Sequence, residues 1–301
     1  MYLVTGGAGF IGSHIAEHLV SDSKEVRVLD NLSAPGNPSK QFLQTLGIEL
    51  VKGDITDKQN LLDSFRGIET VFHEAAMASV PQSIAEPDLC YKINVEGTKN
   101  VLEAARSSGT KNVVFASSSA VYGDLPGLPK KEDSKTFPMS PYAQSKLDGE
   151  ELMQEYSSLY GINCVSLRYF NVYGARQNPK SDYAAVIPKF IERAKTKEPL
   201  VIYGDGTATR DFVNARDVAR ANVAAVGKTG VYNIASGTPI SVLELAEIIV
   251  LARESNSKIT FEPPRLGDIL HSHADISKAK KELLWEPKTP LELGIKELCR
   301  Q

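Results

Sequence analysis

Tyr142 and Lys146 stand four residues apart in the stretch YAQSK, a spacing that puts a phenol and an ammonium on one face of a helix. An ammonium beside a phenol favours the phenolate, and a phenolate can take the proton of an alcohol. A free phenol ionises near pH 10, so holding it as phenolate near neutrality means lowering its pKa by about 3, worth about 4 kcal/mol. Taken alone, the pattern is that of an ordinary solvated turn. Upstream, however, ASSSAVYG carries Ser117, Ser118 and Ser119 at the end of the apolar run NVVFASS (112–118), which reads as a strand. A serine, a tyrosine and a lysine beside a hydride acceptor make a proton-transfer set for a secondary alcohol.

The N-terminal stretch TGGAGFIGSH points to the acceptor. It spaces Gly6, Gly9 and Gly12 as Gly-x-x-Gly-x-x-Gly between a strand and a helix. There the chain must turn sharply and its backbone must approach a pyrophosphate, whose charge the helix N-terminus favours. Asp30 closes the next strand, VRVLD, where a carboxylate accepts hydrogen bonds from ribose hydroxyls and repels a 2′-phosphate. No arginine follows in NLSAPG, so NAD is expected rather than NADP. Asp54 ends the third strand as a cap or as a neighbour of the adenine. Ala75 and Ala76 in HEAAM are small where bulk would obstruct a dinucleotide.

The elements that must position these groups alternate along the first 170 residues. Strands are expected at 2–6, 25–30, 48–54, 70–76, 112–118 and 164–170. Helices are expected in GSHIAEHLVS, KQNLLDSFRG, LCYKINVEGTKNVLEAARSSG and PYAQSKLDGEELMQEYSSLYG, several ending at glycine. Strands apolar on both faces and separated by helices indicate an α/β fold with a doubly wound parallel sheet. Beyond 170 the chain breaks into Pro- and Gly-containing loops. The expectation is an NAD-binding Rossmann domain over 1–170 and a smaller C-terminal α/β substrate-binding domain over 171–301, with the segment near 210–235 packing back on the first. SVLELAEIIVLAR has a helical apolar face, and SKAKKELLWEP reads as a terminal helix stopping before a proline.

Composition narrows the functional classes. The 301 residues carry a formal charge of -3 with dispersed Lys and Arg, which argues against nucleic acid and membrane surfaces as partners. No apolar run has the length of a membrane span, and the N-terminus has no signal-peptide pattern, so a cytoplasmic protein is expected. Cys90, Cys164 and Cys299 are widely spaced and fit neither a disulfide framework nor a zinc site. The pair His14 and His18 reads as helix surface without a third ligand, and no metal site is expected.

Taken together, TGGAGFIGSH, Asp30-Asn31, ASSSAVYG, YAQSK, LRYFNVYG, RDFV and RLGD resemble, in order and spacing and over essentially the whole chain, the extended short-chain dehydrogenase/reductase superfamily, in particular the UDP-glucose/UDP-N-acetylglucosamine 4-epimerases. The resemblance implies that Tyr142 is the catalytic base, that Lys146 is its electrostatic partner and a ribose ligand, and that Ser118 binds the sugar O4, with Ser119 beside it. It also implies cofactor contacts from Phe10, Ile11, Asn31, Ile55, Asn94 and Tyr169. UDP-sugar contacts are implied for Ser79, Phe170, Asn171, Ala185 and Val186. Arg210 and Arg265 match diphosphate ligands, Asp268 a uridine ribose ligand, and Tyr203 either an aromatic stacked on uracil or a buried strand residue. A homodimer through helices near 88–108 and 141–160 is implied as well.

Departures from the pattern choose among the family's reactions. Dehydrating members carry Asp-Glu after the catalytic hydroxyl, whereas Ser119 and Ala120 stand here; decarboxylating members carry a glutamate in the serine cluster, and it is missing. A transient oxidation at C4 with return of the hydride, that is, 4-epimerisation, is the expected reaction. Ser272 occupies the position that limits pocket width, where tyrosine accompanies plain hexoses. With SVPQS (79–83) and YAAVIPKF (183–190), it favours UDP-GlcNAc/UDP-GalNAc, with UDP-Glc/UDP-Gal also possible. The alternatives are a UDP-glucuronate-type 4-epimerase, a sugar reductase using NADPH, which Asp30 disfavours, and a non-catalytic dinucleotide sensor, a kind of protein that typically loses the Tyr-x-x-x-Lys pair kept here.

Overall fold

Six short runs rich in β-branched and aromatic residues form the strands expected of the first half. They are β1 (Tyr2–Thr5), β2 (Val26–Asp30), β3 (Glu49–Lys52), β4 (Thr70–His73), β5 (Asn112–Ser118) and β6 (Asn163–Tyr169). β7 (Asn171–Tyr173), β8 (Leu200–Tyr203), β9 (Thr209–Asn214), β10 (Gly230–Ile234), β11 (Pro239–Ser241) and β12 (Ile259–Glu262) follow. The helices are α1 (Phe10–Ser21), α2 (Ser39–Thr45), α3 (Lys58–Ser64), α4 (Val80–Ala85), α5 (Pro87–Tyr91), α6 (Gly97–Ser108), α7 (Pro141–Tyr160), α8 (Val186–Thr196), α9 (Ala215–Ala224), α10 (Val242–Ala252) and α11 (Leu291–Cys299). This is a computed structural model, and it describes residues 1–34, 39–178, 185–264 and 269–300.

The main sheet has the order β10-β6-β5-β4-β1-β2-β3, every neighbouring pair parallel. The chain winds outward from β1 to β3, then returns to the other side of β1 at β4. Connections therefore diverge between β1 and β4, leaving a crevice at the strand carboxyl ends where open α/β sheets bind ligands. Helices cover both faces, and each face buries its own core. One contains Leu3, Leu29, Phe65, Val71, Leu102 and Phe115. The other contains Val4, Ile15, Val28, Phe72, Val218 and Trp285.

The seventh strand and part of one helical layer come from late in the sequence. β10 pairs in register with β6 from Gly230↔Val165 to Ile234↔Tyr169, and α9 lies against α1. The remaining late strands form a three-stranded sheet, β11-β9-β7, and a parallel pair, β12-β8. Tyr173, Ile187, Phe190, Leu245, Ile249 and Ile295 make a separate core beneath them.

Three local expectations are corrected. The single helix expected over 89–109 is α5, a π-helical turn at Lys92–Glu96, and α6. The helix expected in SKAKKELLWEP forms over residues 277–283, closing in a π-helical turn at Ala279–Leu283, but it is not the terminal one; the last helix is α11, beyond Pro290, which as its N-cap tolerates the missing amide. His14 is not helix surface. It is 4% exposed, its Nε2 lies 2.9 Å from the Ala175 carbonyl, and burial lowers its pKa to about 4.

Among the described residues no helix is long and apolar enough to cross a membrane. α7, which carries Tyr142 and Lys146, has definite ends. Ser140 caps its N-terminus by accepting from the Ala143 amide at 3.1 Å, Pro141 presets the first turn, and Gly161 stops it in the left-handed region at φ 66°. Its buried stripe of Ala143, Lys146, Gly149, Glu150 and Met153 faces the main sheet.

Candidate active site

The glycine turn passes close under the crevice. A Cβ on Gly6, whose φ is +66°, would stand 2.6 Å from the Ala75 amide nitrogen, and one on Gly12 would stand 2.4 Å from the Gly6 carbonyl oxygen. The turn thus holds β1, α1 and the end of β4 closer together than any side chain permits. Gly9 is the N-cap of α1 and places no side chain over the first-turn amides, which include those of Phe10, Ile11 and Gly12. At the next strand end Asp30 accepts from the Ala8 amide at 3.0 Å and the Leu32 amide at 2.8 Å. Burial raises its pKa against the pull of those two bonds.

Asp54 lies beside it, accepting from Asn31 Nδ2 at 2.8 Å and from the Thr56 amide and hydroxyl at 2.8 and 2.7 Å. Burial would push the Asp54 carboxyl up, but these bonds win and hold it below the ordinary range. Ile55 is 5% exposed and belongs to the core. A glycine cradle, a free helix N-terminus and a carboxylate rim suit a dinucleotide diphosphate and its adenosine ribose, so the residues present fit NAD.

Ser118 and Tyr142 meet on the same rim. Ser118 ends β5, accepts from the Ala120 amide at 3.2 Å and lies near enough to the Tyr142 phenol to pull its pKa down. Lys146 is 4% exposed and donates from Nζ to the Ala116 carbonyl at 2.7 Å, with Nζ 5.9 Å from the Tyr142 ring centroid. Burial lowers its pKa to about 8, while Glu74 and then Cys90 work in the opposite direction. Burial raises the pKa of Tyr142, with Ser118 opposing it and Cys90 and Glu74 adding to it. The chain alone therefore keeps Tyr142 protonated at neutral pH.

A buried frame holds this rim. Asn94, in the π-helical turn, accepts from the Met77 amide at 2.7 Å and donates to the Met77 carbonyl at 3.1 Å and to Ser145 Oγ at 2.9 Å. Its carboxamide thus ties the loop after β4 to α7. Ser145 Oγ in turn donates to the Tyr142 carbonyl, and the Tyr142 amide donates to Ser83. Behind Ser118, Arg168 grips Glu150 with two bonds of 2.8 and 2.7 Å, and Ser117 donates to the same carboxylate. Ser119 opens a 3-10 turn next to them.

Other candidates line up around the rim. Ala75 and Ala76 are half-buried at the end of β4, and Ser79 caps α4 by accepting from the Gln82 amide at 3.1 Å. Tyr169 is buried and donates to Glu74 at 2.8 Å; Phe170 packs with Val121, Tyr122 and Ala235. Asn171 Nδ2 reaches the Asp211 carbonyl at 3.4 Å. Ala185 and Val186 form the N-terminus of α8. Arg210 donates to the Thr209 and Leu270 carbonyls, and the Ser272 amide donates to the Thr209 carbonyl at 3.0 Å, so Arg210 and Ser272 neighbour each other. Tyr203 ends β8 and is 37% exposed. Arg265 and Asp268 lie outside the described residues, as do Tyr183 and Ala184.

Two groups at this site were not singled out in the sequence. His73 is 1% exposed between the hydroxyls of Thr5, at 2.7 Å, and Thr98, at 3.0 Å; burial and then the Lys146 charge lower its pKa to about 3, so it is neutral. Glu74 follows it, and burial raises its pKa to about 7. The signal for both was a pair of titratable residues closing the apolar run TVFHE.

Fold and site define the class: an enzyme of the extended short-chain dehydrogenase/reductase type, built to move a hydride at a secondary alcohol with a dinucleotide. The sequence pattern described as the NAD dependent epimerase/dehydratase family matches residues 2–235. The chain belongs to that family, and its cofactor is NAD. It is 42% identical to a putative UDP-glucose 4-epimerase of Methanocaldococcus jannaschii, over 99% of this chain and 97% of that one. Among solved structures, the UDP-N-acetylglucosamine 4-epimerase of Methanobrevibacter ruminantium in complex with UDP-N-acetylmuramic acid superposes with a TM-score of 0.91 at 38% identity, covering 99% and 96% of the two chains. The UDP-glucose 4-epimerase of Thermotoga maritima with UDP-glucose gives 0.93 at 36% identity, covering 99% and 97%.

Proposed function

We propose that the protein is a 4-epimerase of UDP-sugars whose main pair is UDP-GlcNAc and UDP-GalNAc, with UDP-Glc and UDP-Gal as further substrates. The observation that carries this reading is buried Lys146, held on the Ala116 carbonyl with its ammonium 5.9 Å from the Tyr142 ring centroid, next to Ser118 at the carboxyl end of β5. When bound, NAD supplies the acceptor and returning donor of the C4 hydride, together with a positive ring charge that lowers the Tyr142 pKa. Tyr142 takes the proton from the sugar O4, and Ser118 holds that oxygen. Lys146 keeps a positive charge on the cofactor side of the phenol. The 4-keto sugar then turns over, and Tyr142 returns the proton to O4 of the opposite epimer. Arg210 and Arg265 hold the diphosphate, and Asp268 the uridine ribose, while the sugar turns.

The choice of sugar rests on Ser272. Its amide is bound to the carbonyl of Thr209, the neighbour of Arg210, and by the family resemblance this is the position where a larger side chain would crowd the group on C2. Proton NMR of the protein with UDP-GlcNAc and with UDP-Glc, with and without added NAD, is expected to show conversion of both to their C4 epimers. In Ser272→Tyr, turnover of UDP-GlcNAc is expected to drop by about tenfold or more while UDP-Glc turnover survives, since overfilling a packed space costs about 1–3 kcal/mol. Equal loss of both would refute the width argument, and conversion of UDP-glucuronate alone would replace the substrate assignment.

A homodimer belongs to the same reading. Leu89, Tyr91, Leu159 and Tyr160 are exposed on α5 and α7, apolar groups whose burial against a second copy would be favourable. Light scattering is expected to give about twice the 32.8 kDa chain mass. A monomer at working concentration would overturn this part.

A further inference from the structure

A carboxylate that no step above uses sits between the catalytic pair and a helix from late in the sequence. Glu74 leaves the carboxyl end of β4 just before Ala75 and Ala76. The Tyr169 hydroxyl on β6 donates to its Oε1 at 2.8 Å, and Asn222, wholly buried on α9, is hydrogen-bonded to the same hydroxyl at 2.8 Å. Asn222 is itself held by the Val218 carbonyl at 2.9 Å. The Glu74 amide is fixed on the Thr5 carbonyl at 3.1 Å. Backbone and side chain are thus both pinned, from β1, β6 and α9.

The charged and titratable groups around it are few. From α7 come the Lys146 ammonium and the Tyr142 phenol, both near enough to feel the Glu74 charge. From β4 comes His73, which burial keeps neutral, and from β6 the Tyr169 phenol, which burial keeps protonated. From α5, Cys90 faces Lys146 and Tyr142, and burial raises its own pKa. Lys146 is therefore the cation of this group, and Glu74 is the carboxylate that acts on it.

We propose that Glu74 is a positioning residue whose charge, held in place by the Tyr169–Asn222 relay, sets the pH range over which Tyr142 can accept a proton and Lys146 can keep one. This rests on the epimerase reading of the site. An ionised Glu74 opposes ionisation of Tyr142 and stabilises the Lys146 ammonium, so it moves both of their titrations to higher pH. A protonated Glu74 does neither. Because burial brings its own titration to about 7, the group changes charge inside the working range. The Tyr169 hydroxyl opposes that shift, so losing it would keep Glu74 neutral to higher pH.

The test is the pH profile of kcat on the NAD-loaded enzyme, with the UDP-hexose that turns over, for the parent, Glu74→Gln, Tyr169→Phe and the double variant. Glu74→Gln keeps the shape and removes the charge, so both limbs of the profile are expected to move to lower pH. Tyr169→Phe is expected to move the acid limb in the same direction by less, and to add no further movement in the Glu74→Gln background. Carbon-13 NMR of glutamate-carboxyl-labelled protein, with Glu74→Gln identifying the signal, is expected to show Glu74 titrating near neutrality and needs no turnover. Limbs that stay in place in Glu74→Gln, or a Glu74 signal that titrates in the ordinary carboxylate range, would overturn the proposal. A parent enzyme with no turnover would instead count against the epimerase reading, and the NMR titration would still decide the status of Glu74.

Discussion

Tyr142→Phe is expected to lower kcat by about 10²–10⁴-fold, the usual loss when a positioned proton acceptor is removed. Among the described residues, the neighbouring titratable groups on the rim are already engaged. Lys146 donates to the Ala116 carbonyl, His73 is occupied by Thr5 and Thr98, and the Glu74 carboxylate is bound by Tyr169. The loss should fall on kcat with KM within a few-fold, since the hydroxyl matters only when the O4 proton moves. Steady-state kinetics beside circular dichroism of the folded variant measures it. A loss under about tenfold would mean that another group takes the proton. The alkaline side of the parent profile carries a related expectation. Burial sets Lys146 at about 8, so the ammonium is present below that pH and lost above it, and turnover should fall as pH rises through that region.

Arg168→Leu is expected to destabilise the fold by about 3–5 kcal/mol, because it leaves a buried carboxylate without its cation. Arg168 and Glu150 are 5% and 6% exposed, and the guanidinium meets the carboxylate through two parallel bonds. Ser117 alone would remain on Glu150. Replacing both partners, Arg168→Leu with Glu150→Leu, removes the orphaned charge and should recover part of the loss. Denaturant midpoints of the parent, the single and the double variant check this. A single variant within about 1 kcal/mol of the parent, or a double variant no more stable than the single, would show that the pair is not what holds β6 to α7. The strands beneath Ser118 depend on this pair, so the single variant should lose activity as well as stability.

What the sequence by itself determined is what short-range pattern encodes. The first six strands, the glycine turn, Asp30 at the end of β2 and the Tyr142–Lys146 spacing on α7 all depend on residues within about one element of each other. Side-chain period, glycine's freedom from Cβ and helical spacing act locally, so they are visible in a linear chain. The fold class and the cofactor followed from them.

Only the tertiary structure decided features whose partners lie far along the chain. The run 89–109 has the composition of one helix, yet it passes through a π-helical turn in which the Asn94 side chain binds Met77 and Ser145. His14 carries the pattern of a surface residue and is buried by Ala175. β10 has too short an apolar run to declare itself, and it gains its place by pairing with β6. The charge of Glu74 follows from its burial and, against that, from Tyr169 on β6 and Lys146 on α7, which the fold alone brings to one rim. Burial and electrostatics depend on distance in space, and they act on groups whose separation along the chain carries no periodic signal.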